Sequence, residues 1–151
     1  MTDSVQTAPT AESARRRILA QHSHLRELLS KEKATAEDAL DGRSAVPDAV
    51  ASAIGDIHAV FEVHLAFEER VLPLLLAADP GRALAQKERV RADHQKQRAI
   101  LSELHREALA VPGLPTLAAK LAFVVDWLLV DMEQEERELL AETAEFAVIP
   151  G

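Results

Sequence analysis

Apolar positions recur at spacings of three and four along most of the chain, which is the period of helices that bury one face. Three turn-forming segments interrupt this pattern, at residues 41–44, 79–81 and 111–115. The pattern therefore predicts four helices, over residues 13–40, 47–78, 82–110 and 115–145. Ser13 is predicted to cap the first helix and Pro73 to kink the second.

Long helices with short connections favour an all-α, up-down-up-down four-helix bundle. We interpret residues 1–12 as a disordered N-terminal tail, residues 13–146 as one bundle domain and residues 147–151 as a C-terminal tail. The sequence shows no repeat and no linker long enough to separate two domains.

Each predicted helix carries polar residues at positions that its apolar seam should fill. In the second helix the seam runs through Ile57, Phe61 and Val71, and the same spacing places His64 and Glu68 between them. The first and third helices contribute one histidine each, and the fourth helix contributes two carboxylates. The full set is His22, His64, Glu68, His94, Asp131 and Glu135. A polar group buried in a core is costly unless partners satisfy it.

The six positions fall at one level of the predicted bundle, roughly 13–20 Å from the same end at a rise of about 1.5 Å per residue. Three imidazoles and three carboxylates in one layer of a bundle core indicate a metal site, in which carboxylates bridge two metals and histidines take terminal positions. Imidazole with carboxylate suits iron or manganese, and the chain has no cysteine for a thiolate site. We predict non-haem iron, as a di-iron centre or a single ion.

A salt-bridge network is the alternative to a metal in this layer. Arg26 and Arg98 each follow a histidine of the set by four residues and could support such a network. His24 is predicted to face solvent and His58 to be peripheral. Three further carboxylates are predicted to form a solvated face: Glu69, Glu133 and Glu136.

Composition excludes several classes of partner. The chain has 151 residues, 48% of them hydrophobic, and a net charge of −8, which argues against nucleic acid or an anionic membrane as the main partner. No apolar run approaches the ~20 residues of a membrane span, and the N-terminus has no signal-peptide core. A cytoplasmic location is the expectation.

The segments around these residues resemble the hemerythrin-like (HHE cation-binding) family. His64–Leu75, which contains the His-xxx-Glu-Glu pattern, resembles its second-helix motif, Gln21–Leu29 its first and Asp93–Leu101 its third. The resemblance implies a four-helix bundle holding a non-haem di-iron centre that binds dioxygen or serves as a redox or iron sensor. In the fourth helix, Asp131-xxx-Glu135 stands where the family usually has His-xxx-Glu.

Three functions fit these residues. The first is an iron protein that binds, senses or reacts with dioxygen, peroxide or nitric oxide. The second is an oxidase-like or iron-handling protein, because a carboxylate-rich centre favours ferric iron. The third is a helical interaction module that is metal-free or holds zinc. Each function leaves the protein partner open.

Overall fold

The computed structural model describes residues 10–43, 48–76 and 80–140. Within these ranges the chain forms four helices and no strand, and the predicted four-helix bundle is confirmed. The helices are α1 (Ala11–Leu40), α2 (Ala49–Leu75), α3 (Pro80–Ala110) and α4 (Leu117–Glu135). A π-helical turn, Glu136–Leu140, continues α4. The predicted helical residues 77–78 and 141–145 lie outside the described ranges. Pro47 and both predicted tails apart from residues 10–12 also lie outside them.

The start of α1 differs from the prediction because Ser13 is not the helix cap. Thr10 is the N-cap, and its hydroxyl accepts a hydrogen bond from the Ser13 backbone N–H at 3.1 Å. The Ser13 hydroxyl in turn accepts from the Thr10 N–H at 2.9 Å. This reciprocal capping box satisfies two backbone donors at the helix end and starts the helix at Ala11.

The described apolar core consists of a large cluster on one side of the polar layer and two smaller clusters on the other. The large cluster fills the end of the bundle that contains Leu29, Ile57, Leu104 and Leu121. Beyond the layer, one smaller cluster consists of Ala14, Ile18, Phe67, Val71 and Leu140, and the other of Leu72, Leu76 and Val90. The polar residues are therefore enclosed between two apolar regions. α1 packs against α2 and α4, and α2 packs against α3, whereas α3 and α4 contact each other less.

α2 contributes more buried apolar residues than any other helix and is the most apolar helix of the four. Over its 27 residues it is long and apolar enough, by length and composition alone, to cross a membrane, with a mean hydropathy of 1.3 in its most apolar window. The expectation that no segment approaches such a span was therefore too strict. The core helix of a bundle passes the same test, and α2 buries His64 and Glu68 within this bundle. Pro73 lies inside α2, two residues before its end.

The C-terminal part of α4 shows one shift of phase. An α-helical seam continued from Leu128 and Glu135 predicts that Leu139 is buried, but Leu140 is the buried residue and Leu139 is half-buried. The π-helical turn causes this difference, because it inserts one extra residue into the turn and advances the buried face by one position.

Candidate metal centre

The structure buries four of the six predicted site residues almost completely. The exposed fractions of His22, His64, Glu68 and His94 are 0%, 5%, 4% and 1%, and Glu135 is half-buried. His24, two residues from His22, is exposed as predicted, so the predicted phase of α1 is confirmed. His22 projects from α1, His64 and Glu68 from α2, and His94 from α3 into the layer between the apolar clusters.

Four of these side chains converge on one point. His22, His64, Glu68 and Glu135 each offer one ligand atom, and these atoms all lie within 4.8 Å of one another. The Glu68 Oε2 atom is 3.1 Å from His22 Nε2 and 2.9 Å from His64 Nε2. Glu135 Oε1 is also 3.1 Å from His22 Nε2. Two imidazoles and two carboxylates thus form a compact set of donors.

The two carboxylates also reach His94 with their second oxygens. Glu68 Oε1 lies 3.0 Å from His94 Nε2, and Glu135 Oε2 lies 3.8 Å from the same atom. Each carboxylate therefore directs one oxygen to the His22 side of the centre and the other to the His94 side. This is the arrangement of carboxylates that bridge two cations.

The outward ring nitrogen of each buried histidine is held by an acceptor outside the centre. His22 Nδ1 donates to Glu136 Oε2 at 2.8 Å, and His94 Nδ1 donates to Glu69 Oε2 at 2.9 Å. His64 Nδ1 donates to the Gln21 amide oxygen at 2.7 Å. These contacts orient all three rings with Nε2 inward, as outer partners do for histidines that bind metals.

Two arginines complete this outer layer. Arg26 Nη2 lies 2.8 Å from Glu136 Oε2, and Arg98 donates to both oxygens of Glu69 at 2.6 and 3.0 Å. Glu69 and Glu133 are exposed as predicted, whereas Glu136 is half-buried. The prediction missed that Glu69 and Glu136 hold histidines of the layer. The sequence signal for this outer layer was an arginine one turn after a histidine. A carboxylate that lies between two such side chains can pair with both of them.

Asp131 lies outside the group of four converging residues. It is half-buried on the side of α4 that faces α3, and its Oδ2 accepts a hydrogen bond from the Gln97 side-chain amide at 3.2 Å. Asp131 is shorter than glutamate and lies one turn before Glu135. Sequence reasoning missed Gln97, which is 8% exposed and holds Asp131 in place. Whether Asp131 binds metal stays a prediction.

His58, predicted to be peripheral, stacks on His105 with ring centroids 4.5 Å apart. Both are half-buried between α2 and α3. The ring that each of these histidines stacks on is the other one, and not a residue of the candidate metal centre.

Comparison with known families agrees with this geometry. The sequence model of the hemerythrin HHE cation binding domain matches residues 13–142, nearly the whole chain. The chain belongs to the hemerythrin HHE family. Searches of curated proteins and of solved structures gave no significant match.

A hemerythrin-type centre requires donors that favour a cation, and the electrostatics of this layer meet that requirement. Burial raises the pKa of Glu135, and the neighbouring Glu68 carboxylate raises it further. Burial also acts to raise the pKa of Glu68, but hydrogen bonds from His22, His64 and His94 hold it well below its ordinary value. Two buried carboxylates in contact need positive charge between them.

In the metal-free protein the histidines of this hemerythrin-type centre provide the positive charge. Burial lowers the pKa of His22, but hydrogen bonds to Glu135 and Glu68 outweigh it and raise the pKa to about 10. The same causes raise the pKa of His94 to about 10. A divalent or trivalent cation would replace these protons.

One buried atom of the layer is placed to serve a cation. His94 Nε2 lies 3.0 Å from Glu68 Oε1, and this contact is an ion pair that lacks the alignment of a good hydrogen bond. A buried nitrogen held in this way gains less than a well-formed hydrogen bond would give. Its lone pair is available to a cation when Nδ1 carries the proton, and Glu69 favours that tautomer.

Proposed function

We propose that this protein is a non-haem iron protein whose centre holds two iron ions and binds, senses or reacts with dioxygen, peroxide or nitric oxide. The observation that carries the proposal is the placement of the Glu68 and Glu135 carboxylates. Each of them points one oxygen to the His22 side and one to the His94 side. A single ion in the group of four is the alternative stoichiometry.

The donor types support iron. Three neutral imidazoles with two carboxylates and no thiolate suit a first-row metal of intermediate hardness. When bound, iron would supply the redox chemistry and the affinity for diatomic ligands. The protein residues hold and orient the donors, and the outer acceptors keep the Nδ1 protons in place.

A surface groove next to the centre supports the proposal that the ligand is small and apolar. The groove lies between α1 and α2, and its walls are formed largely by apolar side chains, including Leu25, Leu28, Val60 and Val63. Its remaining lining residues include His64 and Gln21, so it reaches the edge of the centre. A diatomic gas could approach the His64 side through this groove without crossing the apolar clusters.

Metal analysis of protein purified without a histidine tag tests the proposal. We expect about two iron ions per chain by elemental analysis, with ferric charge-transfer absorption after oxidation in air. Trp127, the single tryptophan, packs against the large core cluster one turn from Asp131, and bound iron should quench its fluorescence. One iron per chain would support the single-ion alternative, and zinc or no metal would contradict the proposal.

An oxidase-like function is the second candidate, because the centre has as many acidic as imidazole donors when Asp131 is counted. Mixing reduced, iron-loaded protein with dioxygen separates the two functions. Reversible binding, or one reaction per centre, supports a binding or sensing protein. Consumption of dioxygen or peroxide over many turnovers with a reductant present supports an oxidase.

A further inference from the structure

A second feature of the molecule is a cleft on the outer surface between α2 and α3. It has a volume of about 300 Å³ and lies on the far side of His94 from the metal centre. Leu72 and Val90 form its apolar part. The polar lining consists of Glu69, Lys87, Arg91, Gln95 and Arg98.

Three cations line this cleft in a protein with a net charge of −8. Lys87, Arg91 and Arg98 occupy one face of α3, because their spacings of four and seven residues bring them within about 40° around the helix. Lys87 and Arg91 are exposed and form no ion pair with the other described residues. The cleft therefore carries unneutralised positive charge where most of the surface is acidic, and such charge attracts anions.

The third cation is linked to the metal centre. Arg98 binds both oxygens of Glu69, and Glu69 Oε2 also accepts the hydrogen bond from His94 Nδ1. Arg98 is one-third exposed, so an anion in the cleft can reach its guanidinium. An anion that draws Arg98 away leaves Glu69 with His94 as its remaining partner among these groups.

We propose that this cleft binds a small anion that carries two phosphate groups, through Lys87, Arg91 and Arg98. Lys87, Arg91 and Arg98 extend over roughly 16 Å of the helix axis at about 1.5 Å per residue, so two linked phosphate groups can contact more of these side chains than one phosphate can. Guanidinium groups match the oxygens of phosphate in pairs. The bound anion competes with Glu69 for Arg98 and so alters the hydrogen bond that orients His94.

Calorimetric titration of the metal-free protein with pyrophosphate and inorganic phosphate tests the binding step. We expect saturable binding at near-physiological salt, with pyrophosphate tighter than phosphate. Lys87→Gln combined with Arg91→Gln should weaken pyrophosphate binding at least about tenfold, since both variants remove a charge-assisted hydrogen bond to the anion. Arg106→Gln removes a charge from the same helix outside the cleft and should leave the affinity unchanged. Absence of saturation, or equal losses in both sets of variants, would overturn the proposal.

Removal of a negative charge gives a second check on the binding step. Glu69→Gln removes the competitor for Arg98 and should tighten pyrophosphate binding several-fold. Glu88→Gln removes an exposed carboxylate from α3 that does not line the cleft, and it should have no such effect. Equal tightening in both variants would mean that general charge, and not this cleft, determines the affinity.

The link to His94 is tested by NMR of the imidazole Nδ1–H proton in the metal-free protein. Saturating pyrophosphate should shift the His94 resonance and leave that of His64, which is held by the Gln21 amide, in place. Arg98→Gln should abolish the shift. Pyrophosphate binding without a shift at His94 would overturn the coupling. Any effect of the anion on bound metal rests on the proposed iron function. The titrations and the NMR measurement use metal-free protein and do not rest on it. Failure of the anion proposal can therefore be distinguished from failure of the iron proposal.

Discussion

Among the individual residues of the centre, the three histidines differ in the group that holds their outward nitrogen. His22 and His94 donate to carboxylates that are themselves paired with arginine, whereas His64 donates to the neutral amide of Gln21. A carboxylate makes an imidazole a stronger donor than an amide does. The His64 position is therefore the weakest of the three and also the one next to the apolar groove.

The variant Gln21→Ala should lower metal affinity about tenfold, since outer partners of metal-binding histidines contribute about 10–100-fold. The loss follows because His64 Nδ1 would have no acceptor to fix its ring. Competition with a chelator of known affinity measures the effect. His24→Ala, an exposed change three residues along the same helix, is the control and should leave the affinity unchanged. Equal effects in both variants would show that Gln21 does not orient His64.

Glu135→Ala and Asp131→Ala should differ in metal content. Glu135 supplies oxygens to both sides of the centre, so its loss should remove most bound metal. Asp131 is held by Gln97 outside the group of four, so its loss should cost less and affect the second ion at most. Elemental analysis after dialysis against the same chelator compares them. A larger loss in Asp131→Ala would place Asp131 among the direct ligands.

Much of the centre could be predicted from the sequence because the inward residues interrupt apolar seams. His22, His64, Glu68, His94 and Glu135 were found in this way. Glu69, Glu136 and Gln21 were not, since a half-exposed polar residue at the edge of a seam looks like any surface residue. Their roles depend on the rotation of neighbouring helices and on rotamers, and a periodic pattern contains neither.

Within the helices, the π-helical turn Glu136–Leu140 is the feature that helical periodicity could not predict. Glu136 contacts His22 directly after Glu135 enters the centre, so adjacent residues serve its inner and outer layers. Leu139 is half-buried and Leu140 is buried, whereas the predicted seam placed Leu139 inward. In the regular part of α4, Met132 is buried and the predicted seam residue Asp131 is half-buried.

Deletion of Arg137 should be tolerated because a π-turn behaves as a one-residue insertion in an α-helix. Removing one residue there returns the turn to α-geometry and keeps Leu140 on the buried face. The Arg137–Glu133 contact that is lost is exposed and contributes little. We expect a cost of about 1–2 kcal/mol in the free energy of unfolding, with metal binding retained.

The control is deletion of Ala122, in the regular part of α4. This change rotates everything that follows by about 100° and should abolish metal binding. Circular dichroism melts and metal titration compare the two proteins. Loss of metal from both to the same extent would contradict the description of the π-turn as a local insertion.

For the whole molecule, the centre makes stability depend on pH in opposite ways with and without metal. The raised pKa values of His22 and His94, about 10 each, stabilise the metal-free fold below the ordinary value of 6.5. This contribution is lost as the pH rises from 6.5 through 10. The lowered pKa of Glu68 acts in the other direction, since its contribution is present above 4.5 and lost on acidification. Metal-free protein should be most stable between about pH 4.5 and 6.5.

With metal the dependence of stability on pH is expected to be opposite, because metal binding releases the histidine protons and is favoured at higher pH. The increase in melting temperature produced by zinc, a redox-inert substitute for ferrous iron, should grow from pH 6 to pH 9. If the histidine pKa values were near the ordinary 6.5, the zinc-induced increase in melting temperature would change with pH only in the acid range. Because the pKa values of His22 and His94 are raised, protons compete with the metal up to higher pH. Calorimetry across this range measures it, with His24→Ala as a control that keeps the trend. A metal-induced increase that is constant over this range would contradict proton release by His22 and His94.

The position of the polar layer between separate apolar clusters has a further consequence for how the chain unfolds. The smaller cluster of Ala14, Ile18, Phe67, Val71 and Leu140 meets the large one across a layer of charged groups and not through continuous apolar contact. Without metal, that end of the bundle can open on its own, and its backbone amides should exchange with solvent deuterium well before those around Leu29 and Ile57. A cation held by the group of four would tie α1, α2 and α4 together at the layer, a second one beside His94 would add α3, and both ends should then exchange at the same rate. The metal would then determine whether the bundle unfolds as one cooperative unit or as two.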